Sequence, residues 1–190
     1  MKPSRRLPLL VAATLLSAGC SLLPEPRPDP TRFYVLTSPS AGNAAVTGVA
    51  AVQLRPVEVA GYLRNRPLVV RRGASEIEFR EHARWGEPLE QGIARVLVAE
   101  LRARGVNVVP AAAGGPALTL RVHACEGGSD GAVIFRAAWE LTGGAVPAAG
   151  DFTAQGLRWD GKSEGSLATQ LAAAVAGLAE EISVGAARRP

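Results

Sequence analysis

The chain has 190 residues, 47% of them hydrophobic, and a formal net charge of +4 with a pI near 9.7. That length and apolar content support a single domain with a sizeable core. The basic balance suggests a nucleic-acid partner at first sight, but no basic run interleaved with aromatics marks such a surface, and that class is excluded.

The chain begins with Lys2, Arg5 and Arg6 ahead of a short apolar run over residues 7–19 that contains Pro8. A charged start, a short apolar stretch and small residues before a cut are the layout of a secretory signal. Thirteen residues are too few for a spanning helix, which needs about 20. Leu15-Leu16-Ser17-Ala18-Gly19-Cys20 resembles a bacterial lipobox, with Ser17 where leucine is usual and Leu16 one position further out. In that resemblance the chain is cut before Cys20, and Cys20 carries the lipid. Removing the first 19 residues leaves 171. The signal holds three basic residues and no acid, so 18 basic and 17 acidic residues remain, a net of +1. Acylation of the new terminus would remove its charge as well. Cys125 is then a free thiol, expected to be buried as a small apolar residue.

Residues 20–31 form the lipidated Cys and a Pro-rich tether. Prolines at 24, 26, 28 and 30 alternate with charged residues. Each ring fixes φ and pushes its neighbour to extended backbone. The result is a semi-rigid spacer of roughly 3 Å per residue, about 30 Å in all. The expected periplasmic domain covers 32–186, and 187–190 is a polar tail.

Within the domain, residues 32–37 read as a first strand and 38–50 as a loop. Residues 52–60 read as a strand interrupted at Pro56, on an edge or at a bulge. Residues 68–72 and 76–80 form a hairpin around Gly73-Ala74-Ser75. Arg84-Trp85-Gly86-Glu87-Pro88-Leu89 reads as a helix start, with Pro88 in the first turn. Leu89, Ile93, Val96, Leu97 and Leu101 make one apolar stripe, and Gly105 stops the helix. A short strand at 106–109 leads to a meander. Leu118, Leu120, Val122 and Ala124 face one way, a turn occupies 126–131, and Val133, Phe135, Ala137, Trp139 and Leu141 share a face of the next strand. A strand at 152–159 precedes a last helix from near Ser163, with Leu167, Leu171, Val175, Leu178 and Ile182 as its stripe. The expectation is α+β in two layers: a mostly antiparallel sheet with two helices packed on one face.

Chemical motifs are few. Gly161-Lys162-Ser163-Glu164-Gly165 fits G-x-S-x-G between a strand and a helix, and an esterase reading would make Ser163 the nucleophile. That arrangement needs a histidine after the serine, but His82 and His123 both precede it. Ser163 or Ser166 instead reads as a helix N-cap. The two histidines and the spare Cys125 lack metal-ligand spacing. Glu76, Glu78 and Glu81 beside His82 read as a solvated strand face, with Arg71, Arg72, Arg80 and Arg84 as cross-strand partners. No catalytic set and no cofactor site is expected.

Over nearly its whole length the sequence resembles the ABC-type transport auxiliary lipoprotein family, PqiC-like (the paraquat-inducible protein C type). The resemblance rests on the box at Cys20, on Phe33-Tyr34-Val35-Leu36, on Pro56-Val57-Glu58-Val59 leading to Gly61-Tyr62-Leu63, and on Arg66-Pro67-Leu68-Val69. Its most specific stretch is 79–101, with Arg84, Trp85, Glu87, Pro88, Leu89, Arg95 and Leu97. The resemblance implies a non-catalytic lipoprotein of an MCE-type system that moves lipid between inner and outer membranes and contributes to envelope integrity. Its implied partner is a periplasm-spanning MCE-domain protein, and a ring-like homo-oligomer is implied too. Ser21, rather than Asp, after Cys20 implies the outer membrane, facing the periplasm. An alternative is a periplasmic lipid- or ligand-binding module with its own cargo cavity between sheet and helices. For the Arg84–Arg95 motif two readings stand. In one, Trp85 fastens the helix start to the sheet and Arg84 pairs with Glu87. In the other, the motif is a docking surface for the MCE-domain partner or for another copy of the chain.

Overall fold

The computed structural model describes residues 28–40, 51–109, 115–144 and 147–187. The expected signal segment, Cys20, most of the expected tether and residues 188–190 lie outside the described residues. The chain divides into two compact units, Met1–Pro30 and Thr31–Pro190, and all the elements below belong to the second. They run β1 (Arg32–Tyr34), β2 (Ala51–Leu54), β3 (Glu58–Val59), a 3-10 turn (Gly61–Arg64), β4 (Pro67–Arg71), β5 (Ile77–Trp85), α1 (Leu89–Ala103), β6 (Asn107–Val109), β7 (Ala117–Gly128), β8 (Val133–Thr142), β9 (Ala148–Thr153) and α2 (Glu164–Ala187).

Local chemistry explains most boundaries. Pro56 divides the expected strand 52–60 into β2 and β3, because a residue without an N–H cannot continue the ladder. Pairing with β7 resumes at Glu58, opposite Arg121, and the Ala60 N–H donates to the Val122 carbonyl at 3.0 Å. β4 and β5 form the expected hairpin, with Val69 opposite Phe79 and Val70 opposite Glu78. A register shift between Pro67 and Val69 then lets β5 run on to Trp85. Arg84 and Trp85 are therefore strand residues rather than the start of a helix. Gly105 adopts φ 80° just past α1, the left-handed backbone that favours glycine. The strand expected at 152–159 lies earlier, at Ala148–Thr153, followed by an isolated bridge between Ala132 and Arg158.

The sheet is mixed, which corrects the mostly antiparallel expectation. Among the described residues, five of its eight strand pairings are parallel: β1–β5, β2–β6, β2–β7, β3–β7 and β4–β7. The three antiparallel pairings, β4–β5, β7–β8 and β8–β9, each join strands adjacent in sequence. β7 is the hub. β8 lies along one of its edges from Ala117 to Gly127. Its other edge is shared by β2 at Ala117 and Leu118, β3 at Arg121 and Val122, and β4 at Gly127 and Gly128.

The helices pack on each other, with α1 toward β3 and β6 and α2 toward β7, β8 and β9. Both predicted stripes are buried, and so is the predicted inner face of β8. The space between sheet and helices is filled by side chains such as Leu118, Leu120, Phe135, Leu171 and Val175, each at most 1% exposed. α2 is long and apolar enough to cross a membrane, yet more than half of that stretch is buried inside the domain, which makes it a core helix. Its alanines and glycines answer to close neighbours. A Cβ on Gly185 would stand 2.7 Å from the Trp139 ring, and the Trp139 indole N–H donates to Glu181 Oε1 at 2.8 Å.

Strand β7 needs glycine at 127, where a Cβ would stand 2.9 Å from the Trp159 ring. Gly127→Ala is expected to lose about 1–3 kcal/mol through overpacking. Gly73→Ala, whose added carbon would meet nothing nearer than 4.0 Å, should stay within about 0.5 kcal/mol of the parent. Urea denaturation of the two variants side by side checks both.

Candidate functional site

The 84–95 motif divides between core and surface. Trp85 closes β5 with its ring buried, and Leu89 opens the buried stripe of α1. Arg84, Pro88 and Arg95 are exposed, and Pro88 occupies the N-cap position of α1. Glu87 pairs with Arg95, one helical turn and a half into α1, and not with Arg84. The reason is the strand character of 84–85: Arg84 stands opposite Phe33 of β1 and Pro67 of β4, away from the helix. The Glu87 carboxylate rests over Gly92, where a Cβ would meet Oε1 at 3.3 Å. Arg95 also donates to the Leu36 carbonyl at 2.8 Å.

Leu36 belongs to a strap, residues 35–40, that follows β1 and runs beside α1. Glu100, on the same helix and fully buried, holds the far end of that strap. Its carboxylate accepts hydrogen bonds from the Ser38 hydroxyl, the Ser40 N–H at 3.0 Å, the Ser40 hydroxyl at 2.8 Å and Arg104 at 2.6 Å. Burial alone pushes the Glu100 carboxyl up. The donors from Ser38, Arg104 and Ser40 outweigh it and bring the group down to about 2. Arg95 and Glu100 thus fasten the chain leaving β1 to α1. An elongated groove of about 420 Å³ lies between this strap and α2, lined by Tyr34, Val35, Thr37, Pro39, Ala168 and Ala173 among others. A second concavity, of about 350 Å³, sits over β7–β9 and includes Arg121, Glu140 and Asp151.

A buried polar cluster escaped the sequence reading. Glu126, assigned there to a turn, is a fully buried residue of β7. It accepts from Arg71 of β4 and from the Tyr62 hydroxyl at 3.0 Å. Burial first, and the Glu126 charge second, push the Tyr62 phenol up to about 12. An acid at the end of an apolar strand was the available signal; its partners lie 55 and 64 residues away. Cys125 beside it is buried, and burial pushes its thiol up.

The remaining sequence candidates are structural in their contacts. The Ser163 hydroxyl accepts the Ser166 N–H at 3.3 Å, and Asp160 Oδ1 accepts the N–H groups of Lys162 and Ser163, so this segment caps α2. Glu78 pairs with Arg72 across the hairpin and with Arg80 in its own strand, while Arg71 turns inward to Glu126. Among the described residues no group of three His, Cys, Asp or Glu side chains is placed to hold a metal ion.

Removing the charge at Glu100 tests the strap. Its carboxyl titrates lower in the folded state than the ordinary 4.5, so its contribution is present above about pH 4.5 and lost as the pH falls toward about 2. Glu100→Gln should lose about 2 kcal/mol near neutral pH, the scale of charged hydrogen bonds. The gap to the parent should close as acid protonates the parent. Urea midpoints across that pH range report it.

Comparison with known proteins places the fold. A crystal structure of an uncharacterized protein superposes with a TM-score of 0.70 at 21% identity, covering 81% of this chain and 97% of its own. The crystal structure of protein XCC0632 from Xanthomonas campestris, of the DUF330 family, gives a TM-score of 0.62 at 16% identity, covering 81% and 93%. No curated protein matches the sequence. A family model described as ABC-type transport auxiliary lipoprotein component matches residues 34–183, from β1 to the last turns of α2. The strap, the Arg84–Arg95 motif, α1 and most of α2 lie inside that match, and the chain belongs to the ABC-type transport auxiliary lipoprotein family.

Proposed function

We propose that this chain is the outer-membrane lipoprotein of an MCE-type ABC lipid transport system. It would be anchored by lipid on Cys20, would face the periplasm and would dock a periplasm-spanning MCE-domain protein. The observation that carries this reading is the family match over 34–183 with a lipobox upstream of it. The family assignment suggests a role without catalysis, and the cap geometry at Ser163 agrees with that. Ser21 after Cys20 supports the outer membrane. In this reading the Arg84–Arg95 motif works chiefly as a fastening. Trp85 and Leu89 anchor it in the core, and Arg95 with Glu87 holds the chain that comes from the tether. The domain then transmits position from one membrane to a partner rooted in the other. A homo-oligomer belongs to the same reading. A cargo pocket between sheet and helices, the alternative, has little support from a space filled by leucine, valine and phenylalanine.

Two experiments test the proposal. Crosslinking in cells followed by purification should recover an MCE-domain protein with this chain; repeated recovery of none would sink the docking role. Cys20→Ala should move the chain out of the membrane fraction with its circular dichroism unchanged. A variant that stays in membranes with full yield contradicts the anchor.

A further inference from the structure

β1 carries an apolar exposure that the fastening does not explain. Phe33 is 62% exposed and Val35 52%, the two most exposed large apolar side chains among the described residues. Among the described residues β1 is a terminal strand of the sheet, paired with β5 alone. Exposed edge strands are usually blunted by charge or covered, so a phenylalanine standing free on one marks a contact surface. Phe33 lies opposite Arg84 in the parallel ladder, so their side chains share a face. Val35 reaches over Gly86, where a Cβ would meet it at 3.2 Å, and it also lines the groove beside α2. The Arg66 backbone lies at the same corner, its carbonyl accepting the Trp85 N–H at 2.7 Å, one residue from the Pro67 that stands opposite Arg84. Arg66 and Arg84 are exposed and have no carboxylate partner among the described residues.

The position of this corner in the chain points to what covers it. Phe33 follows the tether directly, and the 13 residues from Cys20 to Phe33 span at most about 45 Å when extended. Among the described residues, Phe33 and Val35 are the exposed large apolar side chains that follow the anchor most closely in sequence. Aromatic and arginine side chains together suit the water–lipid boundary, where rings sit among headgroups and guanidinium groups meet phosphate. A tether this short also keeps the patch at high effective concentration over the bilayer. We propose that Phe33, Val35, Arg66 and Arg84 form a second membrane contact, seating the sheet edge on the anionic phospholipid surface into which Cys20 is anchored. The proline tether then sets the farthest stand-off of the domain, and this contact sets the nearest. The inference rests on the Cys20 anchor reading for which membrane is met, but its test does not need that anchor.

The native indoles supply the control. Trp85, Trp139 and Trp159 are 4–6% exposed, out of reach of quenchers in a bilayer. A Phe33→Trp chain, with Cys20 replaced and a hexahistidine placed before Ser21, is attached through nickel-chelating lipid to vesicles carrying brominated acyl chains. In phosphatidylethanolamine–phosphatidylglycerol vesicles the emission of the new indole should fall at least twofold. It should fall much less in phosphatidylcholine vesicles, and less again after Arg66→Glu with Arg84→Glu. Phe33→Ser should leave the thermal midpoint unchanged, as expected of a side chain with no core contact. Unquenched emission on anionic vesicles overturns the proposal. So does a photocrosslinker at position 33 that captures an MCE-domain protein or a second copy in cells while no quenching is seen. If quenching occurs but mass spectrometry finds no lipid on Cys20 of the chain purified from cells, the patch stands and the anchor reading falls.

Discussion

One long strand sets the architecture. A strand has two edges, and each edge presents N–H and C=O groups that must be paired when buried. β7 spans 12 residues, more than any neighbour on its second edge can cover. β8 satisfies one edge along nearly its full length, and β2, β3 and β4 divide the other between them. All three run parallel to β7, so the chain between them cannot turn back as hairpins. Pro56 and the 3-10 turn carry it forward instead. The same division opens the sheet into two wings, β2–β6 at one end and β4–β5–β1 at the other. The second wing carries β1, and with it the place where the tether joins the domain.

The C-terminal end of β7 shows how tightly that arrangement is held. At Gly127 and Gly128 the Trp159 ring lies against the backbone, its indole donating to the Gly128 carbonyl at 3.1 Å. One residue earlier, Glu126 is buried with Arg71 and Tyr62. A buried charge with its partners removed is costly, so these contacts resist any slip of β4 along β7. Register in this sheet is thus pinned by polar contacts as well as by the apolar pattern.

The strap turns architecture into connection. Arg95 and Glu100 both stand on α1, and both hold residues 36–40, which leave β1. β1 itself is paired with the far end of β5, whose last residue, Trp85, is in the core. A pull on the chain ahead of β1 is therefore carried by backbone pairing into β5 and by side-chain hydrogen bonds into α1. For a lipoprotein of a transport system that is a sensible path for load. It also explains how one short motif mixes buried and exposed residues: Trp85 and Leu89 serve packing, Glu87 and Arg95 serve the strap, and Arg84 faces outward with Phe33.

The sequence by itself determined what local chemistry controls. The 3.6-residue stripes and Gly105 specified both helices, and turn residues marked the three pairings of strands adjacent in sequence. The alternation of β8 gave its buried face. A short box of residues at Cys20 and the stretch around Arg84 and Trp85 pointed to the family that the match over 34–183 then showed. Tertiary structure alone decided the five parallel pairings, because each joins strands far apart in sequence and leaves no turn to read. It likewise decided that Glu126 would be buried against residues 55 and 64 positions away, and that Glu87 would choose Arg95 over the nearer Arg84. Partner choice depends on which way a strand edge faces once the sheet closes, and that direction is a property of the assembled fold.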